Sequence, residues 1–159
     1  MTKPFKILCA NALRTTALGT TALLCSVLLL SVSAQAQQFE SFGQYEVHYS
    51  TLNTNQLTPQ VAQAFGIQRA GTQAMLNISV IDTETGEPAE AQVTATATNL
   101  TGQLRELTLR ELREQESIYY IGQFRIHNEE SLRFEIEVKP DNHEGAPFEM
   151  EFRQQFFVR

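Results

Sequence analysis

The sequence LRFEIEVK, at residues 132–139, alternates apolar and charged side chains without interruption. Successive side chains of a β-strand point to opposite faces of a sheet, so the four apolar residues would share one buried face. The four charged residues would share a solvated face. This stretch therefore predicts a strand at the boundary between an apolar core and water.

The same alternation recurs along most of the chain. Towards the N-terminus, Tyr45, Val47 and Tyr49 alternate with polar neighbours, which is typical of a half-buried strand. Residues 104–112 are rich in Leu, Arg and Glu, which also suit a helix, but alternation and flanking turns favour a strand. Further strands are predicted at residues 74–81, 93–98, 118–126 and 148–152, the last with a continuation towards residue 158.

One short helix is predicted, within residues 57–66. Thr58 is placed to cap it, Pro59 suits its first position and Gly66 suits its end. Turns rich in glycine, proline and asparagine are predicted at residues 83–88 and 99–102. The side chains of the helix expected to face inward are those of Val61, Ala64 and Phe65.

Seven or so short strands with regular turns indicate an all-β chain. Strands that are apolar on one side and charged on the other predict two sheets packed face to face. The chain has no tryptophan, and a cysteine pair is missing from its strands, so the marks of an antibody domain are absent from the sequence. We therefore predict an immunoglobulin-like antiparallel β-sandwich, with one short helix near the N-terminus of a single mature domain at residues 37–159.

Residues 1–36 are predicted to be a secretory signal peptide that is cleaved. Lys3, Lys6 and Arg14 provide positive charge, and an apolar run follows at residues 17–30. A membrane-spanning helix needs about 20 consecutive apolar residues. The run is shorter than that and is broken by small and polar residues, so we expect a cleaved signal rather than an anchor.

The cleavage site is predicted between Ala36 and Gln37. Ala34 and Ala36 are the small residues that signal peptidase accepts on either side of a larger one. A cut after Ala34 is the alternative, because Val32 and Ala34 have the same spacing. Lipid attachment at Cys25 is disfavoured, since a leucine precedes it where lipoprotein signals have a small residue.

Cleavage would remove both cysteines, Cys9 and Cys25, and three of the twelve Lys and Arg residues. Nine basic residues would remain against eighteen acidic ones, a formal charge of −9, with no disulfide. Nucleic acids and anionic membrane surfaces are bound through clustered cations, so neither is an expected partner. The expected location is the periplasm, with no transmembrane segment after cleavage.

Local motifs of catalysis and cofactor binding are missing from the sequence. No serine sits in a Gly-x-Ser-x-Gly turn, and no glycine-rich loop opens a helix. We therefore expect no enzyme and no cofactor. Glu46 and His48 share one face of a strand and are the candidate metal ligands, but metal sites gather three or four ligands, so no metal site is predicted. His127 and His143 lie in acidic turns, where exposure to solvent explains them.

The start of the mature chain combines aromatic and polar side chains. Tyr45, His48 and Tyr49, with Asn99 and Gly102 of a later turn, form a candidate interaction surface. The simpler interpretation is an ordinary edge strand and its connection, because aromatic residues on strands usually pack.

Several separated motifs occur in order along the chain: Gly43-Gln-Tyr-Glu-Val-His-Tyr49, Leu57-Thr-Pro59, Phe65-Gly-Ile67, Asn99-Leu-Thr-Gly102 and Ile118-Tyr-Tyr120. Together they resemble the bacterial family known as domain of unknown function 4426, over about residues 39–157. The resemblance implies an exported protein of Gram-negative bacteria with a periplasmic β-sandwich. It provides no catalytic residues to carry over.

These observations favour a non-enzymatic interaction or accessory domain of the periplasm. Its partner would be another periplasmic protein, bound at a sheet edge or at the loops of one end of the sandwich. The alternative is a small-molecule or metal-binding periplasmic protein that uses the region of His48.

Overall fold

The computed structural model describes residues 38–158, so the predicted cleavage site at Ala34, Ala36 and Gln37 lies outside the described residues. Among the described residues, no helix is long and apolar enough to cross a membrane. The elements, in chain order, are β1 Gln38–Phe42, β2 Tyr45–Asn53, a 3-10 turn Thr54–Gln56, α1 Pro59–Ala64, β3 Gln73–Asp82, β4 Ala91–Asn99, β5 Leu104–Leu107, β6 Leu109–Glu114, β7 Ser117–Arg125, β8 Glu130–Pro140 and β9 Phe148–Phe156.

The strands form two antiparallel sheets. One has five strands in the order β1-β2-β3-β7-β6, and the other has four in the order β5-β4-β8-β9. The chain passes between the sheets after β3, β5 and β7. This arrangement confirms the predicted immunoglobulin-like antiparallel β-sandwich with one short helix.

The core lies between the sheets and follows the alternation of the strands. Every apolar residue of LRFEIEVK, which forms most of β8, is at most 1 % exposed. The Phe134 ring of β8 stacks on Phe152 of β9, with ring centroids 4.8 Å apart. It also meets Phe124 of β7, in the other sheet, at 5.5 Å. Aromatic contacts therefore join the two sheets.

Two features of the strand layout differ from the prediction. β1 was not predicted, and it pairs with β2 through a turn in which Gly43 has φ +63°. The single strand predicted at residues 104–112 is two strands, because the chain leaves the four-stranded sheet after Leu107 and joins the five-stranded sheet at Leu109. Gly122 of β7 leaves room for this crossing, since a Cβ there would lie 2.7 Å from a methyl carbon of Leu109.

The helix lies where it was predicted, on the outer face of the five-stranded sheet. The hydroxyl of Thr58 accepts a hydrogen bond from the Val61 N–H at 3.3 Å, and Pro59 is the first helical residue. The inward face expected for this helix is wrong for Val61 and Ala64 and right for Phe65. Phe65 is half-buried and packs against apolar residues of the sheet, whereas Val61 is 38 % exposed, Ala64 is exposed, and Ala62 is buried instead. The buried face of this six-residue helix is the one that contacts apolar residues of the sheet beneath it. The helical pattern in the sequence does not identify that face.

Beneath the helix is a second, smaller apolar cluster. Ala62 and Ile67 pack against Met75 of β3 and Ile121 of β7, which point away from the main core. Arg110 of β6 donates a hydrogen bond to the carbonyl of Phe65 and so holds the end of the helix on the sheet. The outer face of the five-stranded sheet is therefore covered at one end, while the part that bears His48 is not covered by this cluster.

Candidate functional site

Glu46 and His48 lie side by side on the outer face of β2. Strand alternation sends Tyr45, Val47 and Tyr49 into the core and leaves the two polar side chains outside. The Oε2 atom of Glu46 is 3.4 Å from Nε2 of His48, and the side chains are 32 % and 22 % exposed. The predicted proximity of these two candidate ligands is thus present in the structure.

The neighbouring strands enclose the His48 ring. Phe39 of β1 lies directly opposite His48, with ring centroids 5.3 Å apart, and Ser79 of β3 lies opposite on the other side. Nε2 of His48 is buried and has no hydrogen-bond partner among the described residues. Asn77 lies two residues from Ser79 on the same face of β3, and its buried Oδ1 atom also has no hydrogen-bond partner among the described residues. Buried polar atoms without partners are uncommon, so this face has unused capacity to accept hydrogen bonds or to ligate.

A full metal site is not built around this pair by the described residues. No group of three or more His, Cys, Asp and Glu side chains converges in the part of the chain from 38 to 158. Glu46 and His48 offer one carboxylate and one imidazole, whereas tight sites in proteins take three or four ligands. The pair alone therefore fits a weakly held, solvent-completed cation.

The candidate interaction surface does not assemble as predicted. Tyr45 and Tyr49 are only 4 % and 9 % exposed, because they occupy the inward positions of β2 and pack on aromatic residues of β9. They cannot present a surface to a partner, which corrects the expectation for both. Asn99 and Gly102 lie in the β4–β5 turn, at the end of the sandwich opposite Tyr45.

The β4–β5 turn is ordered by its own side chains. The Oδ1 atom of Asn99 accepts hydrogen bonds from the N–H groups of Thr101 and Gln103, at 3.1 and 2.9 Å. Gly102 has φ +82°, a conformation that glycine adopts without strain. This bonding gives Asn99 and Gly102 a structural role, and it leaves Leu100 exposed at the tip.

The remaining histidines have different surroundings. His127 is exposed, as its acidic turn predicted, and its Nδ1 atom lies 3.3 Å from Glu130. His143 differs, because it is half-buried and its ring lies 4.6 Å from that of Phe148 and 6.2 Å from that of Tyr45. Its role is therefore to cover one end of the aromatic core.

The outer face of the four-stranded sheet carries an open groove of about 640 Å³ that sequence reasoning did not find. Glutamates of β8 and β9 oppose one another across it, Glu135 with Glu151 and Glu137 with Glu149. Arg133 lies 3.3 Å from Glu135 and 3.4 Å from Glu151 and so compensates the first pair. Within residues 38–158, no cation lies at ion-pair distance from the second pair. Only the register of β8 with β9 reveals these oppositions.

β9 is a long, open sheet edge. Its nine residues pair with β8 in an unbroken register, and no other described strand pairs with its outer side. The other edge strands are shorter, with five residues in β1, four in β5 and six in β6. β9 contains neither proline nor glycine, and its core-facing positions carry no charge. Proteins commonly protect exposed edges with charged side chains, prolines, bulges or inward-pointing charges. β9 has charged side chains on its outer face only, and no proline, bulge or inward-pointing charge.

The fold and these surfaces define a class: an immunoglobulin-like β-sandwich with a half-enclosed polar pair on one sheet and an open edge on the other. Within that class, the chain belongs to the family described as domain of unknown function DUF4426, whose model matches residues 39–159. This confirms the resemblance drawn from the separated motifs.

Solved structures agree with this assignment. The chain is similar to a DUF4426 family protein, PA0388, from Pseudomonas aeruginosa PAO1, with 33 % identity, a TM-score of 0.69 and coverage of 79 % of this chain and 98 % of that one. It shares its fold with a copper-bound variant of FetP from uropathogenic Escherichia coli strain F11, at 13 % identity, a TM-score of 0.57 and coverage of 78 % and 97 %. A second FetP structure, as isolated after expression in the periplasm, matches at 14 % identity, a TM-score of 0.54 and coverage of 76 % and 93 %. A comparison with curated proteins gave no match.

Proposed function

We propose that this protein is an exported, non-enzymatic interaction domain of the periplasm that pairs an extended strand of a partner along β9. The observation that carries the proposal is the nine-residue open edge of β9, which has no proline, bulge or inward-pointing charge. An exposed edge presents a row of unpaired N–H and C=O groups, and an added strand satisfies them. The leader predicted at residues 1–36 supports export to the periplasm.

The titratable groups of the described chain support a role other than catalysis. Catalytic sites gather groups with displaced pKa values in clefts. Here the hydrogen bond and charge of Arg113 lower the pKa of Glu90, and this ion pair lies exposed at the surface. The pKa of Glu130 is also displaced, but its partners Arg105 and His127 hold the chain near the β7–β8 turn. Both carboxylates are thus occupied by structural partners.

A single lysine on β9 tests the proposal. Gln154 points towards the core side of the edge and is exposed, so Gln154→Lys places an inward charge where added strands would pack. The matched control is Gln92→Lys, the same change at an exposed position of β4, which is not an edge strand. Wild type and both variants would be tagged and used for pull-downs from periplasmic extract, with captured proteins identified by mass spectrometry.

We expect wild type and Gln92→Lys to capture the same protein, and Gln154→Lys to lose at least 90 % of it, a tenfold weakening of about 1.4 kcal/mol. Equal capture by all three, or capture of nothing above a tag-only control, would reject β9 as the binding edge.

Glu46 and His48 support a second candidate function, which is weak binding of a metal ion. The observation that favours it is the buried Nε2 atom of His48, which makes no hydrogen bond among the described residues and lies 3.4 Å from the Glu46 carboxylate. A neutral imidazole nitrogen and a carboxylate are common ligands of copper and zinc. A solved structure of a FetP variant, whose fold this chain shares, is copper-bound, which makes copper the first ion to test.

Calorimetric titration with Cu²⁺ and Zn²⁺ decides this second candidate. We expect saturable binding by wild type, at least tenfold weaker binding by His48→Ala, and unchanged binding by His127→Ala, which removes an exposed histidine elsewhere. Loss of affinity in His127→Ala, or none in His48→Ala, would place the ion away from this pair.

A further inference from the structure

We infer that the partner along β9 is a second copy of this chain, paired antiparallel about a two-fold axis at Phe152. The inference rests on the proposed function, because both use the same edge, and it names the partner. Phe152 is the middle residue of the nine in β9. A two-fold axis there would pair the strand over its whole length with itself and join the two four-stranded sheets into one of eight strands.

The charges of β9 are complementary in this register. An antiparallel pair centred on Phe152 places Glu151 opposite Arg153 of the second copy, and by symmetry this contact occurs twice. Both residues lie on the outer face of the sheet, and both are exposed. Opposite charges that face each other across strands stabilise the pairing. The same register sets Glu149 opposite Gln155, with no like charges in contact.

The neighbouring registers each set like charges against each other. An axis at Glu151 pairs Glu149 with Arg153 twice, but it sets Glu151 against its own copy. An axis at Arg153 sets that arginine against its own copy, and an axis at Met150 sets Glu149 against Glu151. Like charges directly opposite one another destabilise strand pairing, so the charges of β9 favour the register centred on Phe152 over these three.

The structure also limits the edge to the segment that this register uses. Beyond Phe156, the carbonyl of Phe157 accepts a hydrogen bond from Asn53 at 2.7 Å, and the N–H of Val158 donates one to Asn128 at 3.1 Å. At the other end, the ring of Phe148 stacks on Phe42 at 4.7 Å and fixes the start of the strand. An edge held at both ends needs little ordering on association, which favours binding.

The fold allows these charges to be exchanged without unfolding the protein. Position 153 pairs with Arg133 on β8, and position 151 pairs with Glu135. Arg153→Glu therefore replaces a like-charge opposition within the sheet by an opposite-charge one. Glu151→Arg does the same opposite Glu135. Each single change disfavours the predicted dimer. Within the protomer, Glu151→Arg also gives up the contact of Glu151 with Arg133, which partly offsets its gain opposite Glu135.

Sedimentation equilibrium of the protein expressed from the full chain tests the inference. We expect wild type to dimerise, and each of Arg153→Glu and Glu151→Arg to weaken dimerisation at least tenfold. The double variant, which again sets opposite charges against each other, should recover the wild-type dissociation constant to within about threefold. The control Lys139→Glu makes the same change of charge on β8, away from the edge, and should leave the dimer unchanged.

Three results would overturn the inference: a monomeric wild type at all concentrations, single variants that match Lys139→Glu, or a double variant no better than the singles. The proposed function is tested separately by the Gln154→Lys pull-down. A monomeric protein that still loses a captured periplasmic protein in Gln154→Lys would reject self-association and retain the interaction function. A dimer that is insensitive to the β9 changes would reject this register. The Gln154→Lys pull-down would then still decide whether β9 binds a partner.

Discussion

Glu130 is a residue at which burial and hydrogen bonding compete. Its side chain is 9 % exposed, yet it is paired with Arg105 of β5 and accepts a hydrogen bond from the His127 N–H at 2.9 Å. Burial raises the pKa of this carboxyl, but the hydrogen bonds from His127 and Arg105 outweigh it, so the pKa of Glu130 lies below its ordinary value. Arg105 also donates to the carbonyl of Arg125, so one ion pair ties β5 to the β7–β8 turn.

Glu130→Gln should therefore destabilise the protein at neutral pH. We expect a loss of about 1–3 kcal/mol in the free energy of unfolding, because the half-buried charge of Arg105 loses its partner. Because the folded-state pKa is lowered, the contribution of Glu130 is fully present above the unfolded pKa of about 4.3 and is lost as pH falls through the folded value. Urea unfolding at several pH values measures both effects.

The control for this change is Glu129→Gln, which alters the exposed neighbour in the same way. It should cost less than 0.5 kcal/mol, roughly the range of ordinary surface changes. A difference between wild type and Glu130→Gln that does not shrink between about pH 5 and pH 2 would contradict the assigned pKa direction.

At the scale of elements, the outer face shared by β8 and β9 sets like charges opposite each other. Their outer face opposes two pairs of glutamates, of which only Glu135 with Glu151 is bridged by Arg133. Glu137 and Glu149 face each other without a compensating cation in the described part of the chain. Like charges opposite one another weaken a strand pair. The apolar pairing of β8 with β9 is thus partly offset on its solvent side.

Glu137→Lys should stabilise the protein by about 0.2–1 kcal/mol, because it turns this repulsion into an attraction. Added salt should raise the thermal midpoint of wild type relative to that of Glu137→Lys, since ions screen the repulsion in the first and the attraction in the second. Differential scanning calorimetry at low and high ionic strength measures both. Glu144→Lys, in the loop between β8 and β9, is the control for the change in net charge; if it stabilises as much, the effect is not local.

At the scale of the whole molecule, an aromatic cluster holds the two sheets together. Phe134 is fully buried at its centre, stacked on Phe152 and in edge contact with Phe124 and Phe156. The described residues show one main core, to which strands of both sheets contribute. The domain must be stabilised by this core if the leader, which holds both cysteines, is removed, because no disulfide would then be available.

Phe134→Ala should cost about 3–5 kcal/mol of unfolding free energy, since it removes a buried ring and leaves a cavity between the sheets. Chemical denaturation measures this loss. Phe39→Ala, on the outer face of β1 and 53 % exposed, is the matched control and should cost under about 1 kcal/mol. Comparable losses in the two variants would mean that the sheets are not joined through Phe134.

Much of the candidate site could be placed from the sequence, but not its environment. The spacing of Glu46 and His48 sufficed to put both on one strand face, because strand geometry has a period of two. The approach of Phe39 and the buried Oδ1 atom of Asn77 depend on β1 and β3, whose registers no local pattern encodes. The same limit explains Tyr45 and Tyr49, which alternation placed on the opposite face of β2 from His48 and which the candidate surface nevertheless included.

The sequence by itself determined the two-faced strands, through the alternation in LRFEIEVK and in the other predicted strands, and it determined the capped helix. These features depend on neighbours in the chain, and together they fixed the class of fold. The tertiary structure alone decided where the chain crosses between sheets, after Leu107, and which glutamates oppose each other. It also decided that β9, rather than another strand, ends the four-stranded sheet as its longest open edge. Strand order and register depend on contacts between distant segments, and the physical chemistry of a single strand does not specify them.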